Sequence, residues 1–248
     1  MTILWETGIP QQIYANLYCK WKRVKREVKV LANVFRKYGS KRLIEFGCGL
    51  GRHGYLLRKM GFEVLLTDVK DWRYGAAKRM PFIKLDVFND SFTDRKFDGG
   101  YAINFLIIFK YNEIAKVLSK ISDIIGNGIF IADYNFTLYN EPLEIITNLN
   151  GRTYKAILEK NKISSIDKGN LYEYRIKVID DQGKIIGIEE ASYPIYDKEI
   201  LFKAIEDSGF RIIDTIWAKW NPDEYVYEFT EKEADSAFIV MSKSQPSQ

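Results

Sequence analysis

The segment Leu43-Ile-Glu-Phe-Gly-Cys-Gly-Leu-Gly-Arg-His-Gly constrains this chain more than any other part of it. Its apolar start reads as a short buried strand, its alternate glycines as a tight loop, and His53 to Met60 as a helix closed by Gly61. The turn needs backbone angles closed to other residues, and side chains on it would block anything lying over the loop. A strand that enters a glycine loop and leaves as a helix is half of a βαβ unit. Such a unit can bury both faces of its strand only within a parallel sheet covered by helices.

The rest of the chain keeps the alternation. Glu63–Thr67, Phe82–Leu85 and Gly99–Ile103 read as the second, third and fourth strands. Ile114, Val117, Leu118 and Ile121 give Tyr111–Ile125 helical spacing, and Gly126-Asn-Gly turns it into a fifth strand, Ile129–Ala132. Residues 134 to 195 break the pattern. Leu171–Ile179 and Ile185–Ala191 alternate charged and apolar residues about Asp180-Asp-Gln-Gly-Lys, which predicts a half-exposed antiparallel hairpin inserted into the fold. The βα pattern returns with a helix over Lys198–Ser208 and strands over Phe210–Trp217 and Ala237–Met241; residues 242 to 248 read as a frayed tail. Before the first strand, Ile13, Leu17, Trp21, Val24, Val28, Leu31 and Phe35 share one face of a helix expected over residues 13 to 37. Lys20, Lys22, Arg23, Lys25, Arg26 and Lys29 fill its other side, read as a solvated face.

Composition excludes several classes. A hydrophobic share of 46% with 28% charged residues belongs to a globular protein and not to a disordered one. A single histidine and two cysteines without ligand spacing argue against a zinc enzyme, so no metal is expected. The first residues lack the basic and apolar regions of a secretory leader, and no apolar run reaches membrane length, so a cytoplasmic location is expected. The net charge of +4 carries no information about where the positive charge sits.

The loop's spacing separates two kinds of ligand. A dinucleotide fingerprint, G-x-G-x-x-G, would place its third glycine at Arg52, whereas here the glycines are Gly47, Gly49 and Gly51 with Glu45 before them. An acid beside the loop would repel pyrophosphate but suits the ammonium of a methionine moiety. Asp68 ends the next strand, where a carboxylate can accept both hydroxyls of a ribose and where open sheets bind ligands. The pattern favours S-adenosylmethionine over a nicotinamide or a flavin.

With these residues in place, the chain resembles the class I S-adenosylmethionine-dependent methyltransferases. The glycine segment looks like their first motif and Asp68 their acid after the second strand. Lys84-Leu-Asp-Val-Phe is similar to the third-strand motif, Phe97-Asp-Gly-Gly-Tyr-Ala-Ile-Asn to the fourth, and Gly126-Asn-Gly-Ile-Phe-Ile-Ala-Asp to the fifth. Gly51-Arg-His, Asp133-Tyr-Asn and the antiparallel insertion resemble the small-molecule branch, which includes glycine and amino-sugar N-methyltransferases. Asn104-Phe-Leu-Ile stands where enzymes that methylate amino groups of nucleic acids carry a prolyl-prolyl-aromatic motif.

The resemblance implies an α/β, Rossmann-like fold: one domain with a seven-stranded, mostly parallel sheet, an antiparallel last strand and helices on both faces. It also implies an N-terminal helical cap over residues 1 to 40 and a substrate lid formed by the antiparallel insertion, residues 134 to 195. The cofactor would be S-adenosyl-L-methionine. Its expected residues are Glu45 on the methionine ammonium, Gly47, Cys48, Gly49 and Gly51 in the loop, Asp68 with Val69 at the ribose, Asp86 with Val87 at the adenine, and Asn104. Substrate contacts are expected from Tyr14, Tyr18, Phe105 and Asn135, and catalytic roles from His53 and Tyr134. The bland readings stand beside these: His53 as a packing or capping residue, Tyr14 and Tyr18 as core. Three functions remain open at this point. One is methyl transfer to a small molecule, with an amine nitrogen favoured. The second is an RNA or protein methyltransferase docking its substrate on the basic helix, and the third a non-catalytic cofactor-binding protein.

Overall fold

The computed structural model describes residues 9–17, 19–92, 97–137 and 143–244. Tyr18 and the end of the expected tail, residues 245 to 248, lie outside the described residues.

Two helices, α1 (Gln11–Leu17) and α2 (Trp21–Lys37), precede β1 (Arg42–Phe46), α3 (Arg52–Lys59), β2 (Glu63–Asp68), β3 (Phe82–Lys84) and β4 (Gly99–Ala102). Next come α4 (Tyr111–Ile125) and β5 (Ile129–Asn135), then four consecutive strands: β6 (Leu143–Leu149), β7 (Arg152–Ile166), β8 (Gly169–Asp180) and β9 (Ile185–Tyr196). The chain ends with α5 (Lys198–Asp207), β10 (Phe210–Asn221), β11 (Val226–Thr230) and β12 (Ser236–Lys243). It divides into two compact units, residues 1–20 with 137–196, and residues 21–136 with 197–248.

The larger unit is an α/β sheet in the order β11-β10-β12-β5-β4-β1-β2-β3. Strands β3, β2, β1, β4 and β5 pair in parallel, while β12 is antiparallel to both β5 and β10. The seven strands from β3 to β10 are the expected Rossmann-like sheet; β11 adds an eighth at the edge, antiparallel to β10. Two adjacent glycines on β4 show why both faces are covered. A Cβ on Gly99 would meet Phe35 of α2 at 2.8 Å, and one on Gly100 would meet Ile125 of α4 at 3.0 Å. Successive strand residues point to opposite faces, so the helices approach from both sides, closer than side chains on these two residues would permit.

The helix expected over residues 13 to 37 is interrupted between Leu17 and Trp21. Its α1 piece belongs with the smaller unit and α2 with the sheet, so the expected cap over residues 1 to 40 is divided between the two. On α2, Val24, Val28, Leu31 and Phe35 are buried as their spacing requires. Trp21 departs from the expected face and is 40% exposed. Its ring takes the Arg52 guanidinium at 4.5 Å and stands beside Tyr55. Arg23 departs in the other direction: it is buried, with Trp220, Tyr225 and Tyr227 around its guanidinium at 5.5 to 5.9 Å.

The smaller unit holds a four-stranded antiparallel sheet, β6-β7-β8-β9, where the sequence showed one hairpin. The β8–β9 turn is as expected: Asp180 Oδ1 accepts the N–H groups of Gln182 and Lys184, and Gly183 takes a positive φ. Strand β7 was missed because Lys155, Glu159, Lys160 and Lys162 mask its alternation, although Ala156 and Leu158 are buried. Among the described residues no helix is long and apolar enough to cross a membrane.

Candidate active site

Strand order reverses between β1 and β4: the chain runs outward through β2 and β3, then returns to the other side of β1. Parallel strands leave a crevice at such a point, at their carboxyl ends. The glycine loop, Asp68, Asn104 with Phe105, and the last residues of β5 follow or close the carboxyl ends of β1, β2, β4 and β5.

Gly47, Gly49 and Gly51 all have positive φ, 65°, 50° and 70°. Gly47 is constrained by more than its φ, because a Cβ there would stand 2.6 Å from Cδ2 of the Phe105 ring. The loop is stitched to the neighbouring strand. Cys48 donates its N–H to the Thr67 carbonyl at 2.9 Å, and Gly49 donates its own to Asp68 Oδ2 at 2.8 Å. Asp68 is therefore fixed by the loop it faces, and its side chain remains partly exposed at the strand end. Burial raises its pKa above the ordinary value, against the backbone N–H groups of Gly49, Val69 and Lys70. Cys48 is buried, and burial pushes its thiol well above the usual range.

Glu45, expected to meet an ammonium, is instead turned inward. It is 2% exposed, and its Oε2 accepts the Tyr101 hydroxyl at 2.9 Å and the Gly54 N–H at 3.1 Å. Burial lifts this carboxyl to about 7 even though nearby His53 and these hydrogen bonds oppose the rise. The glutamate thus joins β1, β4 and the start of α3 beneath the loop. Gly54 is the glycine that motif reading passed over: a Cβ there would strike the Leu66 side chain and lie 2.8 Å from Glu45 Oε2.

His53 lies within a buried polar chain. Its Nε2 is 2.6 Å from Glu27 Oε2, and Arg23 Nε donates to Glu27 Oε1, also at 2.6 Å. Burial alone would raise Glu27, but Arg23 and His53 outweigh it and hold the carboxyl below its ordinary range. The one imidazole of the chain therefore links α3 to α2, consistent with its packing reading.

The end of β5 separates its residues by face. Tyr134, expected to be catalytic, is 2% exposed and packs its ring 5.4 Å from Phe136, which in turn meets Phe202 and Trp217. That is an apolar layer, and the strand's alternation turns Asp133 and Asn135 the other way. Asn135 Oδ1 accepts the hydroxyls of Tyr227 at 2.9 Å and Ser236 at 2.6 Å. Asp133, which sequence reading gave no role, is 3% exposed; its Oδ1 accepts the Asn104 N–H at 2.6 Å. That bond holds Asn104 at φ 53°, a conformation non-glycine residues seldom adopt, and so sets the path of the chain into Phe105. Burial, reinforced by the charge on Glu27, raises Asp133 to about 7.

The remaining expected residues are dispersed. Val69 is exposed beside Asp68 and Val87 is buried. Asp86 is half-exposed, with Oδ1 accepting the Phe88 N–H and Oδ2 the Asn89 amide. Tyr14 lies on α1 in the smaller unit. Among the described residues no cluster of His, Cys, Asp and Glu is arranged to hold a metal ion.

The cradle fits the expected cofactor on its own chemistry. A loop of alternate glycines, with Cys48 and Leu50 buried between them, offers backbone beside a fixed, partly exposed carboxylate at the neighbouring strand end, and no third glycine stands where a pyrophosphate turn needs one.

No protein-family model matches the chain, and no curated protein matches it. Solved structures do. An S-adenosylmethionine-dependent methyltransferase from Clostridium acetobutylicum superposes with a TM-score of 0.71 at 15% identity, over 94% of this chain and 97% of that one. A sugar N-methyltransferase from Streptoalloteichus gives 0.68 at 16% identity, over 90% and 89%. An amino pentose methyltransferase from Micromonospora echinaspora, solved with S-adenosylmethionine bound, gives 0.68 at 14% identity, over 91% and 93%. Strand order, loop and comparisons agree: this chain has the fold of the S-adenosylmethionine-dependent methyltransferases.

Proposed function

We propose that the chain transfers a methyl group from S-adenosylmethionine to a small-molecule acceptor, with an amine nitrogen favoured. The observation that carries the reading is the glycine loop of β1 bonded through Gly49 to Asp68 at the end of β2. The backbone of Gly47, Cys48, Gly49 and Gly51 would border the methionine moiety. Asp68 and Val69 would meet the ribose, Asp86 and Val87 the adenine, and Asn104 with Phe105 the reacting end. When bound, the cofactor supplies a methyl group on a positively charged sulfur, open to displacement in line. The chain's own share is then to align donor and acceptor and to exclude water.

An amine fits this chain better than an alcohol. A neutral amine attacks without a base, whereas a hydroxyl needs its proton removed. The single imidazole is already engaged by Glu27 inside the helix pair. The names of two similar structures, a sugar N-methyltransferase and an amino pentose methyltransferase, support the same choice. RNA docking on the basic face of α2 is less well supported. Arg23 is buried, and Lys22 and Arg26 both meet Glu224, Lys22 at 2.8 Å. Acceptor choice would lie with the smaller unit, Tyr14 included, and a chain with only two cysteines suits a reducing, cytoplasmic setting.

Calorimetric titration with S-adenosylhomocysteine tests this, with NAD as the control. We expect binding of the first alone, weakened about tenfold or more in Asp68→Ala. Unchanged affinity in that variant would remove the ribose assignment, and no binding to the natural chain would remove the function. Turnover with small amines but not with bulk RNA is the expected second result.

A further inference from the structure

Two buried carboxyl oxygens among the described residues lack a hydrogen-bond partner, Asp133 Oδ2 and Glu189 Oε2. The first belongs to the site already described. The second stands on β9 in the inserted sheet, where no motif pointed, on a residue only 2% exposed.

The sheet's register shows what surrounds it. Glu189 lies opposite Ile176 on β8, Ala191 opposite Tyr174, and Tyr193 opposite Tyr172. Alternation therefore gathers Glu189, Tyr193, Tyr172 and Tyr174 on one face of the sheet. Tyr174 and Tyr193 meet edge to face with centroids 5.9 Å apart. Along β9 the neighbours of Glu189 on this face are Gly187 and Ala191. Strand β7 brings Lys160 and Lys162 to the same face, opposite Tyr174 and Tyr172, yet among the described residues neither pairs with Glu189.

A carboxyl withdrawn from water and left unpaired is costly, and here burial pushes the acid up to about 8. A leucine would fill the position beside Ile176 without that cost. A cation would remove it, since a carboxylate answers its charge and aromatic rings attract it through their faces. We propose that Glu189, together with Tyr172, Tyr174 and Tyr193, forms a binding site for an amine-bearing organic ligand. The carboxylate takes the protonated nitrogen and the rings take the adjoining carbon skeleton. This site goes beyond the methyltransferase reading and does not depend on it: an amine held as the ammonium has no lone pair with which to attack a methyl group, so this ligand is not assigned as the methyl acceptor. Protons balance as follows: near pH 7 the free site keeps its proton on Glu189 and the dissolved amine is an ammonium. Forming the carboxylate–ammonium pair releases one proton to solvent.

The test is calorimetric titration of the full chain with cyclohexylamine, and with cyclohexanol as the uncharged ligand of like shape. It is run at pH 7 in two buffers of different ionisation enthalpy. The amine is expected to bind about tenfold tighter than the alcohol, with release of a proton. Glu189→Gln should abolish both the preference and the proton release, and so should Glu189→Leu, a variant expected to fold more stably. S-adenosylhomocysteine affinity, measured on the same preparations, separates the two readings. If it is present while the amine preference is absent, the site assignment fails and the cofactor assignment stands; the reverse pattern condemns only the cofactor. Equal affinity for amine and alcohol, binding of neither, or an unaltered preference in Glu189→Gln overturns the proposal.

Discussion

Gly54 shows how little of a residue's constraint is visible from its neighbours in sequence. The loop glycines announce themselves by spacing, but Gly54 sits one turn into α3 and resembles any helical glycine. Its necessity comes from Leu66 and from Glu45, whose Oε2 would lie 2.8 Å from an added Cβ. Gly54→Ala, ordinarily a stabilising change in a helix, should here cost about 1–3 kcal/mol through overpacking. Urea denaturation measures it, and a stability equal to or above that of the natural chain would refute the close approach. The same change should weaken S-adenosylhomocysteine binding, because Glu45 underlies the glycine loop.

Helix α2 carries a similar lesson for whole elements. Its periodicity located the buried stripe from Val24 to Phe35 but not Trp21, while its basic side divides into solvated residues such as Lys25 and a buried one, Arg23. Glu27 makes the difference, since its two oxygens hold Arg23 on α2 and His53 on α3. Removing one member of a buried charged set leaves the others uncompensated. Glu27→Ala should therefore cost about 3–5 kcal/mol, against no more than about 0.5 kcal/mol for Lys25→Ala, read from denaturant midpoints. Equal losses in the two variants would mean that the chain Arg23–Glu27–His53 does not fasten the helices.

At the scale of the molecule, three buried acids among the described residues share one pH signature. Glu45 and Asp133 are raised to about 7 and Glu189 to about 8, in each case first by burial. Between their unfolded pKa values, near 4, and these folded ones, the native chain binds more protons than the unfolded chain. Their contribution to stability is thus complete only below about pH 4 and is lost progressively as pH rises from there through 7 and 8. Each contributes about 1.4 kcal/mol per pH unit within its window. Glu27, held low, has the opposite sign and matters only as pH falls below its ordinary carboxylate range. Urea midpoints should accordingly be higher at pH 5.5 than at pH 8.5, and the fall should shrink in Asp133→Asn. Stability that rises from pH 5.5 to 8.5 would contradict the burial of these groups.

The alternation of β1 to β5 with their helices, the glycine loop and the place of Asp68 were legible in the sequence, because each is a local matter of period, spacing or backbone freedom. The Rossmann-like sheet followed from them, since alternating strands and helices have few ways to bury both faces of a strand. What only the tertiary structure decided depends on partners far along the chain. Glu45 turned inward because Tyr101 and Gly54 meet it there. Tyr134 went to the apolar face while Asp133 received the Asn104 N–H. His53 was taken by a glutamate 26 residues earlier. Strands β6, β7 and β11 stayed hidden because their pairing, and not their own pattern, makes them strands. A side chain's role depends on which atoms fill the space around it, and those atoms are brought there by folding.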